Sequence, residues 1–518
     1  MTSLPPPSQA RAERRRIAAR LRVREPRGGA TGGKHRRVLA DDSLLPSLVV
    51  RTLAIQSAAI LVCGVVEAAT DARDQAQLLL IGSTLGAVAF VLRGWGREPR
   101  RARRSTVLPG LAAMWSLTVL IATIVFAASD PINLLDGFTE AVAGITTLAV
   151  TSVDPDQLSH GEALYRSLLQ WLGGLLMINA VLVIIPTYGT SRSAREELGP
   201  GGAMGRLGAT SSRRSEVVNM LYAALTLVIG VGYAIAGMPA WDSLNHALTT
   251  ASTGGFTVTS EGFAAYGAAV QWVAVVGMAL AGIGVMWIAT AAGRDSERLF
   301  RATELRFYAV LTVIVAVIIA AGESGRGWSD ATREGFFSAT SAVSTTGFTA
   351  GGWDNIDLLG QMLLLLLFGV GAAAGSAGGG FGARRLSALI QMAGRELRTA
   401  LHHRSVTVVR VDGHPISEPL LDRIAAFAAL YLLVVGIGAF GLAMAGADML
   451  GGVSGSISAF STMGPAFGQL TGAEHPEAVR LIQISLAVLA RAGLFTLTVG
   501  LAHAAQSVSD AASKGRSR

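Results

Sequence analysis

Four short strings of Ser, Thr and Gly hold the residues of this 518-residue chain that are best suited to handling an ion. They read Ile145-Thr146-Thr147-Leu148-Ala149-Val150, Ser252-Thr253-Gly254-Gly255-Phe256, Ser344-Thr345-Thr346-Gly347-Phe348 and Ser461-Thr462-Met463-Gly464-Pro465. None contains a lysine or arginine. Glycine accepts backbone angles closed to other residues, and backbone carbonyls exposed by such a turn can replace the hydration shell of a cation. The candidate ion-selecting residues are therefore Thr146, Thr147, Leu148 and Ala149; Thr253, Gly254 and Gly255; Thr345, Thr346 and Gly347; and Thr462, Met463 and Gly464. The central positions Ala149, Gly255, Gly347 and Gly464 fall 106, 92 and 117 residues apart. Each string ends a short apolar segment, at 134–150, 241–256, 331–348 and 450–468. Segments of that length are too short to span a bilayer and suit re-entry. One string of this kind says little; four in matching places predict a ring of carbonyls. The alternative is a set of glycine and threonine packing motifs between membrane helices.

Other chemistries find less support. A single cysteine, Cys63, excludes a disulfide framework and a multi-cysteine metal site. The eight histidines are scattered, with no H-E-x-x-H, and no paired carboxylates gather in one place. A glycine-rich run, Gly369 to Gly380, resembles a phosphate-binding loop but lacks the Gly-Lys-Ser/Thr that follows one. Arg491 stands within an apolar stretch. A charge at membrane depth is costly and usually faces a cavity or partner, though a snorkelling arginine is the alternative.

The elements that must position these residues follow from composition. The chain is 51% hydrophobic and 15% charged, with a mean hydropathy of +0.48, against about 25% charged in a soluble protein. Apolar runs near 46–67, 77–94, 107–128, 163–187, 216–238, 265–291, 304–322, 358–383, 422–446 and 478–504 predict about ten transmembrane helices. Spanning takes about 20 residues. Residues 1–40 carry a net charge of +9 while the whole chain carries +8. The basic character thus belongs to the tail, and a basic nucleic-acid-binding domain is disfavoured. The tail reads as solvated, with contact to anionic lipid as a compatible role, and nothing in it looks like a cleavable signal. Basic clusters at 93–104, 192–214, 294–306 and 384–410 fall on one side if both termini are cytoplasmic. Asp130, Asp136, Glu140, Asp154 and Asp156 fall on the other, either concentrating cations at an outer mouth or forming ordinary solvated surface. His246 and Asn245 are expected to pack or hydrogen-bond, Arg166 to anchor structure near the outer interface, and Cys63 to act as a small apolar residue.

The chain resembles the Trk/Ktr/HKT superfamily of cation transporters, specifically its bacterial TrkH-like branch, over about residues 46–505. Gln170-Trp171-Leu172-Gly173-Gly174 is similar to that family's QWxGG, and the second, third and fourth strings are close to its filter forms. The resemblance implies an all-α polytopic membrane protein in which four M1–P–M2 repeats (helix, re-entrant pore helix, helix) surround one pore behind two leading helices. It implies division into a basic tail 1–45, leading helices 46–106, and pore repeats 107–190, 213–293, 304–400 and 420–505, with a short tail 506–518. It further implies a gating loop at 369–382, with Gly371, Gly375, Ser376, Ala377, Gly378, Gly379, Gly380 and Arg491 as gate residues. Here Ala377 replaces a threonine and Gly382 a lysine, and Arg384 or Arg385 takes over that charge; a static glycine kink is the alternative.

By resemblance the function is potassium uptake at the bacterial inner membrane, channel-like and driven by membrane potential, with no enzymatic activity. Potassium is the substrate, held by filter carbonyls and no fixed side-chain ligands. The chain itself carries no cofactor, and nucleotide acts only through a regulatory partner, a cytoplasmic nucleotide-binding ring protein of the TrkA/KtrA type. A homodimer in the lipid bilayer is implied. At the first string Leu148 stands for a threonine and Ala149 for a glycine. Ala149 leaves three outcomes open: tolerance, relaxed selectivity as in a sodium-permeable or non-selective channel, or poor conduction. A non-conducting scaffold or sensor remains a rival; a proton-coupled carrier would show further ionisable residues at mid-span.

Overall fold

The computed structural model describes residues 45–70, 75–94, 107–128, 132–180, 211–285, 287–288, 302–323, 325, 327–353, 356–402, 408–411, 414–468 and 476–492. Most of the basic tail, the basic clusters at 97–104, 192–210 and 294–301, Asp130, and the segment after 492 lie outside these residues. Two helices lead, α1 (Leu45–Thr70) and α2 (Gln75–Leu92), packed as a hairpin. Unit one is α3 (Val107–Ala127), the short α4 (Leu134–Thr146) and α5 (His160–Asn179). Unit two is α6 (Ser211–Ile235), α7 (Ala240–Ala251) and α8 (Ala268–Ile283). Unit three is α9 (Thr303–Gly322), α10 (Trp328–Ser344) and α11 (Leu358–Val370). A loop at 371–382, α12 (Ala383–Leu401) and a two-residue antiparallel pair, β1 (Arg410–Val411) with β2 (His414–Pro415), lead to unit four. That unit is α13 (Glu418–Met444), α14 (Met449–Phe460) and α15 (Glu477–Arg491).

A helix lies in each of the ten expected spans. Five helices among the described residues are long and apolar enough to cross a membrane by length and composition: Leu45–Thr70, Gly110–Ala127, Ser215–Ile235, Thr303–Gly322 and Glu418–Met444. Their outward faces are apolar, with Leu227, Val228 and Ile235 on α6 and Leu432, Leu433 and Phe440 on α13 exposed. Hydroxyl and amide side chains such as Gln170, Thr250, Ser344 and Ser461 are buried. That inversion is what a lipid solvent requires, because buried polar groups find partners only inside the protein.

Two expected spans are interrupted. The eighth, expected at 358–383, stops at Val370, where Gly371 takes φ +71° and the chain turns into the loop. The sixth, expected at 265–291, breaks at Gly284 (φ +94°). A Cβ there would meet Gly375 C and Ser376 N at 2.7 Å, so only glycine lets the loop lie against α8.

The units form a closed ring. Each short helix packs within its own unit, and each unit's third helix packs on the short helix of the next: α5 on α7, α8 on α10, α11 on α14, and α15 back on α4. The last seam joins the two ends of the ring. Arg480 Nη1 of α15 lies 2.6 Å from Asp136 Oδ1 of α4, and Arg491 reaches the far end of the same helix. The leading hairpin buttresses unit one through α1 and α5. Tyr165 donates its hydroxyl to Gln56 Oε1 at 2.9 Å, and Gly161 N–H donates to the buried Glu67 Oε2 at 2.8 Å.

Candidate functional site

All four short helices end alike. The N–H of Thr147 returns to Gly144 O at 3.0 Å and that of Leu148 to Ala143 O at 2.9 Å. Thr253 and Gly254 return to Thr250 O and Thr249 O, Thr345 and Thr346 to Ala342 O and Ser341 O, and Thr462 and Met463 to Ala459 O and Ser458 O. This pair of bonds is the Schellman end, which requires a left-handed residue after the helix. Glycine usually fills that place; here threonine does, at φ 54°, 51°, 58° and 55° for Thr147, Thr253, Thr345 and Thr462. Among the described residues no other non-glycine has positive φ. A β-branched residue held there costs on the order of 1–3 kcal/mol and persists only where the surroundings impose it.

The four ends converge. A Cβ on Gly255 (φ +79°) would lie 1.9 Å from Thr346 O and 2.6 Å from the Ala149 methyl. On Gly347 it would lie 2.5 Å from Met463 O and 3.0 Å from that methyl, and on Gly464 2.5 Å from Ala149 C. Ala149 N–H donates to Met463 O at 3.0 Å. The central positions predicted from sequence therefore meet at one point. Four helix C-termini face it, each with a partial negative charge. The first string departs from the other three: Ala149 is not left-handed, and its methyl lies against Gly255 and Gly347 while its backbone meets Gly464.

Side chains brace the strings from behind. Gln170 Nε2 donates to Gly254 O at 2.7 Å and its Oε1 accepts Phe256 N–H at 3.1 Å, tying string two to α5. Ser458 Oγ accepts Gly464 N–H at 3.0 Å, and Ser341 Oγ donates to Phe348 O at 2.7 Å. Behind string one lies an ion pair. Arg166 Nε donates to Glu140 Oε2 at 2.9 Å, Glu140 Oε1 accepts from Thr151 Oγ1 and Ser152 N–H at 2.6 and 2.7 Å, and the guanidinium stacks on Phe256 at 4.2 Å. Arg166 is thus an anchor, set on the filter-like strings rather than on a surface. Arg166→Ala strands a buried carboxylate at a cost of about 3–5 kcal/mol. A large fall in the thermal midpoint in detergent checks this, as does its partial recovery in the double variant Arg166→Met, Glu140→Gln. An unchanged midpoint in Arg166→Ala rules out a structural role for the pair.

The loop at 371–382 lies against the strings on the side where the short helices end. Gly379 N–H donates to Thr345 Oγ1 at 3.0 Å. Cβ atoms on Gly378 and Gly379 would sit 2.8 Å from Ser344 O and 2.3 Å from Ser461 O. The loop is closed on itself by Ala372 N–H to Gly379 O and pinned to its own helix by Phe381 N–H to Gly369 O and Gly382 N–H to Val370 O. Arg491 is buried rather than snorkelling. Its Nε donates to Thr146 O at 2.9 Å, Nη1 to Ala377 O at 2.6 Å, and Nη2 to Thr147 Oγ1. One guanidinium therefore joins unit four, string one and the loop.

The acidic residues expected at an outer mouth divide. Glu140 is fully buried in its ion pair and is no surface charge; burial with Arg166 overrides its place in an acidic loop. Asp136 pairs with Arg480, Asp156 accepts from Ser260, and Asp154 is exposed. His246 packs as expected, its Nδ1 2.9 Å from Asp242 O and its ring among Tyr233, Phe263, Tyr266 and Phe348. Asn245 donates to Trp241 O at 3.0 Å, and Cys63 is buried in an apolar cluster. Sequence reasoning missed the left-handed threonines, the break at Gly284 and a buried carboxylate, Glu304, which accepts Ala374 N–H from the loop at 2.7 Å. A lone Glu entering an apolar helix after a basic segment was the available signal for the last.

Comparison with known proteins bears on the family and the fold. The family described as "TrkH: Cation transport protein" matches residues 84–510. The Trk system potassium uptake protein TrkH of Salmonella typhimurium is 25% identical over 387 residues, 72% of this chain and 80% of that protein. The Trk system potassium uptake protein TrkI of Halomonas elongata is 26% identical over 383 residues, 71% of this chain and 77% of that protein. The crystal structure of the potassium transporter TrkH from Vibrio parahaemolyticus superposes with a TM-score of 0.79 at 23% identity, over 89% of this chain and 98% of that one. The last likeness carries the fold.

Proposed function

Because the chain belongs to the TrkH family of cation transport proteins, we propose that it takes up potassium across the bacterial inner membrane through the ring formed by its four Ser/Thr/Gly strings. The single observation that carries this reading is the fourfold helix end: four left-handed threonines whose following residues meet at one point. Carbonyls turned out of helices there take the place of water around a dehydrated cation, and four helix dipoles favour positive charge. The four repeats and the filter set Thr146–Ala149, Thr253–Gly255, Thr345–Gly347 and Thr462–Gly464 belong to this reading. So does a gate made of the 371–382 loop and Arg491.

The gate acts by occupation. Arg491 donates to Thr146 O and Thr147 Oγ1, and Gly379 N–H to Thr345 Oγ1. These are oxygens of the kind a cation would use, so donors and ion compete for the same acceptors. Opening means withdrawing the loop. Uptake is channel-like, drawing on about 2.3 kcal/mol per charge per 100 mV of membrane potential. No bond is made or broken in the substrate. A homodimer with both termini cytoplasmic, regulated by a separate nucleotide-binding ring, completes the reading. The Trk system names of the relatives support a multi-component system.

One observation favours a second reading, a channel of relaxed selectivity or low conductance. The Ala149 methyl lies against Gly255 and Gly347, and its backbone is not left-handed as theirs is. Uptake of rubidium and sodium into proteoliposomes under an inside-negative potential decides between the two. The potassium reading expects rubidium well above sodium, with Gly347→Arg abolishing both. Ala149→Gly should raise rubidium uptake roughly tenfold, about 1.4 kcal/mol of barrier. Equal or greater sodium flux supports the second reading. Absence of flux with and without a cytoplasmic ring protein overturns both.

A further inference from the structure

The loop at 371–382 rests on a carboxylate as well as on an arginine. Glu304 sits in the first turn of α9, is 2% exposed, and accepts Ala374 N–H through Oε1 at 2.7 Å. The neighbouring N–H, of Ala373, donates to Gly282 O at 2.9 Å in the last turn of α8. Gly284, just beyond, leaves room for Gly375 and Ser376 to lie against it. Three residues further along, Ala377 O accepts from Arg491 at 2.6 Å. The loop is thus held at two points by side chains of opposite sign from different units. Unit three supplies an acceptor to an N–H, and unit four supplies a donor to a carbonyl.

We propose that Glu304 is a positioning residue of the gate, an anionic anchor that holds the 373–376 half of the loop against the ring while Arg491 holds the other half. This rests on the reading of the loop as a gate. A buried carboxylate costs more to hold than a neutral amide, and ionisable residues within membrane helices are usually functional. What the charge supplies is strength: a hydrogen bond to an ionised acceptor is roughly twice as strong as a neutral one. Two anchors also make the loop a clasp with two independent releases. Loss of either loosens its half, which Ala373 N–H to Gly282 O or Gly379 N–H to Thr345 Oγ1 still touches, while the other half keeps its anchor.

The test uses the full chain with Cys63→Ala and Ser376→Cys, so that the only thiol is in the loop, where Ser376 is 6% exposed. A hydrophilic maleimide reports release of the loop, and rubidium flux into proteoliposomes without any partner protein, on the chain with Ser376 retained, reports opening. Glu304→Gln keeps the volume and an acceptor and removes only the charge, and Glu304→Ala removes both. Expected are faster labelling of the introduced thiol and a rise in flux of about tenfold, equal to about 1.4 kcal/mol, in Glu304→Ala, with a smaller rise in Glu304→Gln. Unchanged labelling and flux in a folded Glu304 variant, while Arg491→Met raises flux, overturns the anchor and leaves the gate reading standing. No change in either variant or in Arg491→Met points instead to failure of the gate reading itself. If Glu304→Ala does not give monodisperse protein, Glu304→Gln decides; failure of both to fold assigns Glu304 to stability alone and overturns the proposal.

Discussion

Gly255→Ala lowers rubidium uptake by at least about a hundredfold while the protein stays folded. Two costs combine. At φ +79° an L side chain is strained, by roughly 1–2 kcal/mol. The added methyl would also stand 1.9 Å from Thr346 O and 2.6 Å from the Ala149 methyl. Neither neighbour is the end of a flexible side chain, so a string must move by about 1 Å, and a misplacement of that size at a reacting centre costs about 10²-fold. The fold survives because Gly255 itself puts no side chain into the apolar clusters, where the strings place Leu148, Val150, Phe256, Phe348 and Met463. Gly436→Ala on α13 is the matched control, since nothing lies within 4 Å of a Cβ there. Uptake by Gly255→Ala above a tenth of the parent, with the control unchanged, excludes a cation path between strings two and three.

Arg491→Met has the opposite sign. The side chain makes three buried hydrogen bonds, to Thr146 O, Thr147 Oγ1 and Ala377 O. Each bond to a charged group contributes about 1.5–3 kcal/mol, so losing the one to the loop alone shifts the closed state by about one to two powers of ten. Rubidium flux without a partner protein should rise ten- to a hundredfold. The rubidium-to-sodium ratio should fall at the same time, because string one loses two of its braces. Arg491→Lys keeps the charge but not the planar fork that spans three acceptors, and its flux should fall between parent and Met variant. Flux equal to the parent in Arg491→Met removes the arginine from the gate.

The ten apolar helices were legible in the sequence because lipid demands long apolar runs, and that pattern needs no tertiary information; α12, in a basic segment expected as a loop, was not. The four strings were legible because they repeat. Three of their central residues are glycines, and these do meet as spacing suggested. What sequence did not disclose was which residue carries the left-handed turn. Threonine is a poor candidate by propensity, and only the closing of four helix ends against one another holds Thr147, Thr253, Thr345 and Thr462 there. The break of α8 at Gly284 was hidden for the same kind of reason, as it depends on a loop about ninety residues away. Glu140 looked like one of five surface acids. Its partner Arg166 lies 26 residues on, and nothing local distinguishes the paired acid from Asp154.

The closing seam sets a schedule for making the protein. Arg491 and the helix end it completes are 345 residues apart in the chain. At ribosomal rates of about 5–20 residues per second, string one waits roughly 20 to 70 s for the last helix to arrive. During that interval the C-terminal end of α4 lacks the guanidinium and the helix face that α15 supplies. The leading hairpin is made before α4 and α5 and docks on α5 through Gln56 and Glu67. It therefore covers one flank of the first quarter of the ring well before the fourth is made.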